Sequence, residues 1–532
     1  MMPRRRRPSG RSNWWAVLAI LAATNLLSAQ ETNGARVRAA TRSYREHNEA
    51  AIVGEFARLL AVPNLASDSA NIRRNADLLI EMLQRRGFRD TRLLTVPGGP
   101  PAVYGELPAR KANRTLVLYA HYDGQPLDPK QWTTPPWTPV LRDRGLTEGG
   151  KEIPLPPAES GAHIDGEARI YARSAGDDKA SIMAMLAAID ALHNRQIEQS
   201  VNLKVFFEGE EEAGSGHLRQ ILQTYATTLT GDAWLFCDGP VHPSGREELV
   251  FGQRGVTGFE LTIYGPTRAL HSGHYGNWAP NPATLIANLI ASMRDDDGRI
   301  KIAGYYDDVR PISAAERRAI AALPPHDSTL RHSLGLARTE ANDAPLAERI
   351  MLPALNVRGI RAGGVRETGS NTIASEAYAS FDVRLVPNET PERVQQLVEA
   401  HIRKQGYFVT HDSATLAIRL AHPKVARVEW ESGYPASRAP MDGAFGRAVL
   451  AALNDGAAAP LLALPTMGGS GPTYLFERVL RVPMITLPIA NYDDNQHAAN
   501  ENLRIQNLWN GIETYAVLLA GIGGHWGPRP VP

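Results

Sequence analysis

Consecutive apolar residues recur through the first half of the chain, and amphipathic stretches separate them. Residues 115–120 form such a run. Residues 233–237 and residues 201–207, which also include Asn202 and Lys204, are interpreted in the same way. Uninterrupted apolar runs of this length are typical of strands that are buried on both faces of a parallel sheet. From Asp178 to Arg195, apolar side chains recur every three or four residues, which predicts a helix packed on that sheet. Strand, helix and strand in this order form a βαβ unit, so the pattern predicts an α/β fold.

The pattern changes after Gly255. Residues 256–265 and 372–386 alternate apolar and polar positions, which predicts antiparallel strands with one face in water. Helical patterns at 282–294 and 390–405 accompany these strands, and continuous apolar runs return at 461–464 and 484–487. We therefore expect residues 255–436 to form an inserted α+β domain, with residues 30–254 and 437–532 as the two parts of one α/β domain.

Residues 1–29 differ from the rest of the chain. Arginines at positions 4–7 precede a mostly apolar stretch at 14–27, and the small residues Ser28 and Ala29 follow it. This is the layout of a secretory signal peptide, and the apolar stretch is short for a membrane span of about 20 residues. We expect a signal peptide at 1–29 and an exported protein, periplasmic or secreted. The alternative is an uncleaved N-terminal anchor.

Composition narrows the possible chemistry. The 532 residues include 57 Lys and Arg against 56 Asp and Glu, for a formal charge of +1. Such a balance offers no large positive field for nucleic acid or an anionic membrane, so we expect neither as a partner. Cys237 is the single cysteine, which excludes an intramolecular disulfide and a cysteine-based zinc site. Any metal must therefore be held by His, Asp and Glu.

Acidic and histidine residues follow the predicted strands. The groups are His121 with Asp123, Asp177 with Asp178, Glu210 to Glu212, Asp238 and His497. Each group alone has an ordinary explanation, such as a helix cap, a turn or a solvated helix start. Ligands of open parallel sheets bind at the carboxyl ends of the strands, and these groups all lie at predicted strand ends. Carboxylates and two histidines converging at one sheet edge are what a dinuclear divalent-metal site needs.

The sequence motifs around these residues resemble those of a known family. They are HYDGQP at 121–126, RSAGDDK at 173–179, EGEEEAGS at 208–215, GQRG at 252–255, LHSG at 270–273 and NQH at 495–497. In this order they are similar to the co-catalytic dinuclear zinc metallopeptidases, which include carnosinases, bacterial dipeptidases, glutamate carboxypeptidase and aminoacylase. The motifs HYDGQP and EGEEEAGS fit the carnosinase and dipeptidase branch best. The resemblance implies a phosphorylase/hydrolase-like α/β catalytic domain with a mainly parallel sheet and an inserted α+β, ferredoxin-like lid domain.

The resemblance also implies roles for the acidic and histidine residues. Asp177 would bridge two divalent metals, expected to be zinc, with manganese or cobalt as alternatives. One metal would also be held by His121 and Asp238, and the other by Glu212 and His497. Glu211 would be the general base, Asp123 would orient the His121 imidazole, and the peptide bond after Asp177 would be cis.

Substrate contacts are implied for the lid domain and a glycine-rich loop. Arg384 matches an arginine that holds the substrate carboxylate, and Asn371 is a weaker match of the same kind. Gly469 and Ser470 lie in a GGSG loop whose backbone can approach a carboxylate closely. His271 resembles a lid histidine that reaches the active site of a partner subunit, so we expect a homodimer formed through the lid domain.

These expectations describe an exported hydrolase that cleaves dipeptides or removes C-terminal residues from short peptides, with Glu211 activating the attacking water. One alternative is an N-acyl-amino-acid deacylase on the same scaffold, because the motifs are shared between the two activities. A second alternative is an inactive relative that serves as a binding domain, against which the intact Glu211 and the complete ligand set argue.

Overall fold

The computed structural model describes residues 32–527. The predicted signal peptide at 1–29 lies outside these residues. Among the helices of the described part, none is both long enough and apolar enough to cross a membrane.

An eight-stranded sheet forms the larger core. From edge to edge its strands are Arg89–Leu94, Ala102–Leu107, Asn202–Glu208, Thr115–His121, Ala233–Phe236, Met484–Thr486, Glu248–Val250 and Leu462–Leu464. The four central strands, from Asn202–Glu208 to Met484–Thr486, run parallel to one another. The two strands at one edge pair antiparallel, as does Met484–Thr486 with Glu248–Val250. The expected α/β fold with a mainly parallel sheet is confirmed.

Helices cover both faces of this sheet, which explains its continuous apolar strands. Along Thr115–His121, Leu116 and Leu118 belong to one hydrophobic cluster, while Val117 and Tyr119 belong to another on the opposite face. Successive side chains of a strand point to opposite faces, so a strand covered twice must be apolar throughout. The helices of the first face are Asn33–Leu60, Ser69–Arg85, Lys179–Asn194, Ala444–Asn454 and Ile505–His525. Those of the second are Leu218–Thr224 and Thr473–Leu480.

A second sheet is built entirely from residues between 255 and 430. Its order is Ala354–Arg361, Glu376–Leu385, Gly255–Tyr264, Val425–Trp430 and Phe408–Thr410, and only the last pair is parallel. Along Glu376–Leu385 every second side chain is buried, as the alternating pattern predicts. The helices Pro282–Met293 and Pro391–Lys404 cover the buried face, and their apolar side chains share one cluster with the strands. This is the expected α+β arrangement.

A small antiparallel sheet departs from the prediction. Its strands are Asn502–Arg504, Arg169–Tyr171, Val140–Arg142 and Glu152–Ile153. The sequence analysis expects Asp177, like the other acidic groups, to follow a strand of the parallel sheet, but the strand before it, Arg169–Tyr171, belongs to the small sheet. The strand Arg169–Tyr171 is too short for its pattern to reveal which sheet it joins. Asp177 therefore follows a strand of the small sheet, and it reaches the large sheet through the start of the helix Lys179–Asn194.

Two short ribbons and several short helices complete the described part. Gly252–Gln253 pairs with Ser437–Arg438 where the chain passes between the two larger sheets, and Leu270–His271 pairs with Thr372–Ile373. The remaining α-helices of the described residues are Ser272–Tyr275, Ala314–Ala321, Asp327–Ser333, Glu340–Asp343, Leu346–Arg349 and Leu416–Ala421.

Candidate metal centre

Five predicted metal ligands meet at one edge of the large sheet. His121 is the last residue of its strand, and Asp238 comes two residues after Ala233–Phe236. Asp177 stands just before the helix Lys179–Asn194, whose N-terminal dipole favours a negative charge there. Glu212 lies in a single helical turn, Glu211–Ala213, that follows Asn202–Glu208. His497 lies in the loop after Met484–Thr486.

Asp177 stands at the centre of the group. Its Oδ1 lies 2.9 Å from Nε2 of His121, and its Oδ2 lies 3.2 Å from Nε2 of His497. Each histidine has a second carboxylate beside it. Oδ2 of Asp238 lies 3.9 Å from Nε2 of His121, and Oε2 of Glu212 lies 3.2 Å from Nε2 of His497. The five side chains thus form two sets of donors that share one carboxylate.

The group is buried on all but one side. The side chains of His121, Asp177 and Glu212 are almost fully buried, whereas that of His497 is 53% exposed. The open side is therefore the His497 side, from which a substrate can approach. The peptide bond between Asp177 and Asp178 is cis, as the resemblance implies.

The donor set fits divalent cations. Oδ1 of Asp238 is buried and has no hydrogen-bond partner among the described residues. Burial raises the pKa of Asp238 well above its ordinary value, and the nearby charge of Asp177 raises it further. A buried carboxylate oxygen without a donor is costly unless a positive charge meets it. Donor atoms of His121, Asp177 and Glu212 also lie within 4.8 Å of one another, and so do those of His121, Asp178 and Asp238. Asp178, which the sequence reasoning left without a role, is thus also close enough to take part.

The two histidines and the neighbouring carboxylate Glu211 have shifted pKa values. Hydrogen bonds to Asp177 and Glu212 raise the pKa of His497 to about 10. Although burial alone would lower it, the contacts with Asp123 and Asp177 raise the pKa of His121 well above its ordinary value. Burial raises the pKa of Glu211 to about 8, with the charges of Glu212 and Asp177 adding to the effect. A pair of dications would neutralise the excess of negative charge at this edge of the large sheet.

Asp123 connects the strand end to the turn that carries Glu211 and Glu212. Its two carboxylate oxygens accept hydrogen bonds from the backbone N–H groups of Glu211 and Glu212, both at 3.0 Å. Oδ1 also lies 3.4 Å from Nδ1 of His121. The sequence predicted only the contact with the imidazole. The structure adds that Asp123 fixes the position of the turn.

Three polar residues that the sequence reasoning did not assign also support the ligands. Gln125 donates to Oε2 of Glu212 at 2.8 Å, and Gln496 donates to Oδ2 of Asp177 at 2.7 Å. Both glutamines lie inside the motifs, but nothing in the motifs marks an amide as a partner of a ligand. The buried Glu501 accepts from the backbone N–H of Asp177 at 3.0 Å and is not marked by any motif either.

Of the predicted carboxylate-binding residues, Arg384, Gly469 and Ser470 come together. Nη1 of Arg384 donates to Oγ of Ser470 at 2.9 Å, and the carbonyl of Gly469 accepts from the backbone N–H of Arg254 at 3.0 Å. This loop is adjacent to the metal ligands through Met467. A side-chain carbon at Gly239, the residue after Asp238, would lie 4.0 Å from Cε of Met467, and one at Gly469 would lie 3.8 Å from its Sδ.

His271 and Asn371 lie elsewhere. They are neighbours on the ribbon of Leu270–His271 and Thr372–Ile373, where the N–H of Ser272 donates to the carbonyl of Asn371 at 2.8 Å. Both residues are exposed. Nδ1 of His271 accepts from the N–H of Gly273 at 3.0 Å. Within residues 32–527, no hydrogen bond or ion pair joins either residue to the metal-ligand candidates. Contact with a partner's site stays a prediction.

Comparisons with known proteins agree with this geometry. The model of peptidase family M20/M25/M40 matches residues 117–521. The chain is 28% identical to the Cys-Gly metallodipeptidase DUG1 of Candida albicans, over 86% of this chain and 91% of the relative. It is 26% identical to the human Beta-Ala-His dipeptidase, over 81% of each chain.

Solved structures give the same result. The M20 family metallo-carboxypeptidase Sso-CP2 from Sulfolobus solfataricus superposes with a TM-score of 0.70 at 26% identity, covering 89% of this chain and 99% of that one. Human carnosine dipeptidase 1 shares the fold, with a TM-score of 0.66 at 20% identity, covering 92% and 99%. The carnosinase and dipeptidase resemblance seen in the motifs is thereby confirmed, and the chain belongs to peptidase family M20/M25/M40 as a metallopeptidase that hydrolyses amide bonds.

Proposed function

We propose that the protein is a dinuclear metal-dependent dipeptidase that hydrolyses dipeptides or removes the C-terminal residue of short peptides. The observation that carries the proposal is the placement of Asp177, whose two oxygens face two separate histidines. Each histidine has its own additional carboxylate, so the chain offers two neighbouring metal positions with one shared ligand. Relatives named as dipeptidases and a structural relative named as a carboxypeptidase support the substrate class.

Glu211 is the group best placed to move the proton. Its turn is held by Asp123, next to Glu212, and within residues 32–527 its carboxylate takes part in no hydrogen bond. When bound, the two cations would polarise the scissile carbonyl and lower the pKa of the attacking water. Glu211 accepts the proton from that water and passes it to the leaving amine, which is general acid–base catalysis by a single carboxylate.

Arg384 and the glycine loop would hold the free carboxylate of the substrate. A guanidinium can pair with both oxygens of a carboxylate at once. Arg384 already donates to Ser470 beside the exposed Gly469, so the two elements present donors to the same space. The same site would accept the carboxylate of an N-acyl amino acid, which keeps a deacylase as the second candidate.

The test combines metal content with turnover for wild type and Glu211→Gln, a variant of nearly equal shape without the charge. We expect about two metals per chain in both proteins, cleavage of alanine dipeptides by the wild type, and a loss of about 10²–10⁴-fold in kcat for the variant. Preferential cleavage of N-acetyl amino acids would favour the deacylase. Absence of bound metal would contradict the proposal.

Zinc as the metal, export and a homodimer formed through the lid complete the proposal. Export is supported by the sequence of residues 1–29 and is tested by fractionation of cells that produce the full chain. Recovery of the protein from the cytoplasm with an intact N-terminus would contradict it. Light scattering of the purified protein tests the dimer, and metal analysis after purification without added metal tests zinc.

A further inference from the structure

The segment between residues 310 and 352 brings an apolar side chain to the glycine loop. In the sequence, this segment comes between the helix Pro282–Met293 and the strand Ala354–Arg361, both of which belong to the second sheet and its helices. Its own helix Ala314–Ala321 packs beside the strand Leu462–Leu464 of the large sheet. Farther along, Ile350 approaches Gly468. A side-chain carbon at Gly468 would lie 3.8 Å from Cγ2 of Ile350, which is an ordinary van der Waals contact. Apart from the chain neighbours of Gly468, no other heavy atom of residues 32–527 lies within 4 Å of that point.

The two residues after Ile350 fix its position. Met351 is buried, and its Sδ lies 3.3 Å from Nη1 of Arg438. The carbonyl of Leu352 accepts from Nη2 of Arg254 at 2.9 Å, and the backbone N–H of the same Arg254 donates to Gly469 at 3.0 Å. Arg254 is itself buried. One buried arginine thus holds both the glycine loop and the end of the segment that carries Ile350, so the spacing between them is set by direct contacts.

The substrate carboxylate would lie close to this contact. In an amino acid, the carboxyl carbon and the side-chain Cβ are bonded to the same Cα, so they are only about 2.5 Å apart. A carboxylate held by Arg384 and Ser470 therefore places the side chain of the C-terminal residue next to the loop. Gly468 and Gly469 are exposed and have no side chain to offer. The half-buried Ile350 provides the apolar surface at this position.

We propose that Ile350 forms the wall of the subsite for the side chain of the substrate's C-terminal residue and limits its size. The inference rests on the proposed peptidase function. A branched aliphatic side chain beside the carboxylate-binding loop would make contact with a small apolar residue such as alanine and would obstruct a leucine or a phenylalanine.

The experiment compares kcat/KM for Ala-Ala and Ala-Leu in the metal-loaded full protein and in Ile350→Ala. Size discrimination by an apolar pocket is worth about tenfold or more. We expect Ile350→Ala to raise the ratio of Ala-Leu to Ala-Ala by about tenfold. Ile350→Phe should lower the same ratio, and this opposite change would not arise from a loosened loop. The matched control is Leu346→Ala, which removes a similar side chain one helical turn earlier, at a residue that is 49% exposed and lines a separate cavity.

The outcomes separate this inference from the proposed function. If the wild type cleaves both dipeptides but Ile350→Ala keeps the ratio of the Leu346→Ala control, the assignment of Ile350 is wrong while the peptidase proposal stands. If the metal-loaded wild type cleaves neither dipeptide nor any other C-terminally free peptide, the proposed function fails, and the inference about Ile350 fails with it. A shift of the ratio in opposite directions for the two Ile350 variants would support both.

Discussion

The edge of the large sheet and the ribbon of the second sheet carry functional residues in different ways. At the sheet edge, five side chains from distant parts of the sequence meet at distances of 2.9–3.9 Å, and most are buried. On the ribbon, His271 and Asn371 are exposed. Their hydrogen bonds are with neighbouring backbone, and the His271 ring packs against the ring of His274 with centroids 4.6 Å apart. A folded single chain assembles the first set completely. The second set would need another surface, such as a partner subunit, to become part of a site.

Removal of the metals from the sheet edge should have the largest effect on turnover. Treatment with a chelator is expected to abolish turnover, and added divalent metal should restore it, because the carboxylates at the sheet edge are left facing one another without cations. Rebinding should also stabilise the fold by about 2.7 kcal/mol per site at a free metal concentration of 100 times Kd. Thermal unfolding with and without metal measures this gain. A protein that stays fully active after chelation would show that the edge is only an acidic cluster.

The prediction that His271 of the ribbon acts in the site of a partner subunit can be tested by complementation between two variants. His271→Ala should lower kcat by about 10²-fold if the imidazole stabilises charge in the transition state, while metal content stays unchanged. A mixed dimer of His271→Ala with Glu211→Gln would hold one complete site, made of Glu211 from one chain and His271 from the other. Activity that appears on unfolding and refolding the two inactive variants together would support the shared site. His332→Ala, an exposed histidine on the helix Asp327–Ser333, is the control, and an equal loss there would remove the special role of His271.

Substitution of Asp123 should have a smaller effect on metal binding and turnover at the sheet edge. Asp123→Ala removes both acceptors that hold the N–H groups of Glu211 and Glu212. Loss of a group that contacts the metal ligands and orients them commonly lowers metal affinity or activity by about 10–100-fold. The measurement is zinc affinity together with kcat. Asp143→Ala, an aspartate that also accepts a backbone N–H but lies near Lys151, serves as control. Wild-type values for Asp123→Ala would contradict its role in the turn.

The sequence predicted best what depends on local pattern. The strand Thr115–His121 was predictable because burial on both faces demands a continuous apolar run, and Glu376–Leu385 because burial on one face demands alternation. The expectation that Asp177 follows a strand of the parallel sheet was wrong, because the strand before it, Arg169–Tyr171, has only three residues and shows no period that would reveal its sheet. Glu501 was missed for another reason. Its partner Asp177 lies far away in the sequence, and no local spacing reports a hydrogen bond over that separation.

The same distinction applies within the site. His121 and Asp238 could be predicted together because parallel neighbouring strands end at the same edge. Gln125 and Gln496 were visible in the motifs, but an amide beside a ligand has no period or charge to mark its role. The contact between Ile350 and Gly468 joins two segments whose approach depends on Arg254, so only the folded chain reveals it.

The central claim is that one carboxylate, Asp177, serves two metal positions. The most direct measurement is the number of metals bound per chain in wild type, Asp177→Ala and His497→Ala at equal free metal concentration. The wild type is expected to bind two metals, His497→Ala to keep the one beside His121 and Asp238, and Asp177→Ala to lose both. Tight retention of one metal by Asp177→Ala would contradict the shared role, since a carboxylate that serves both positions cannot be removed without weakening both.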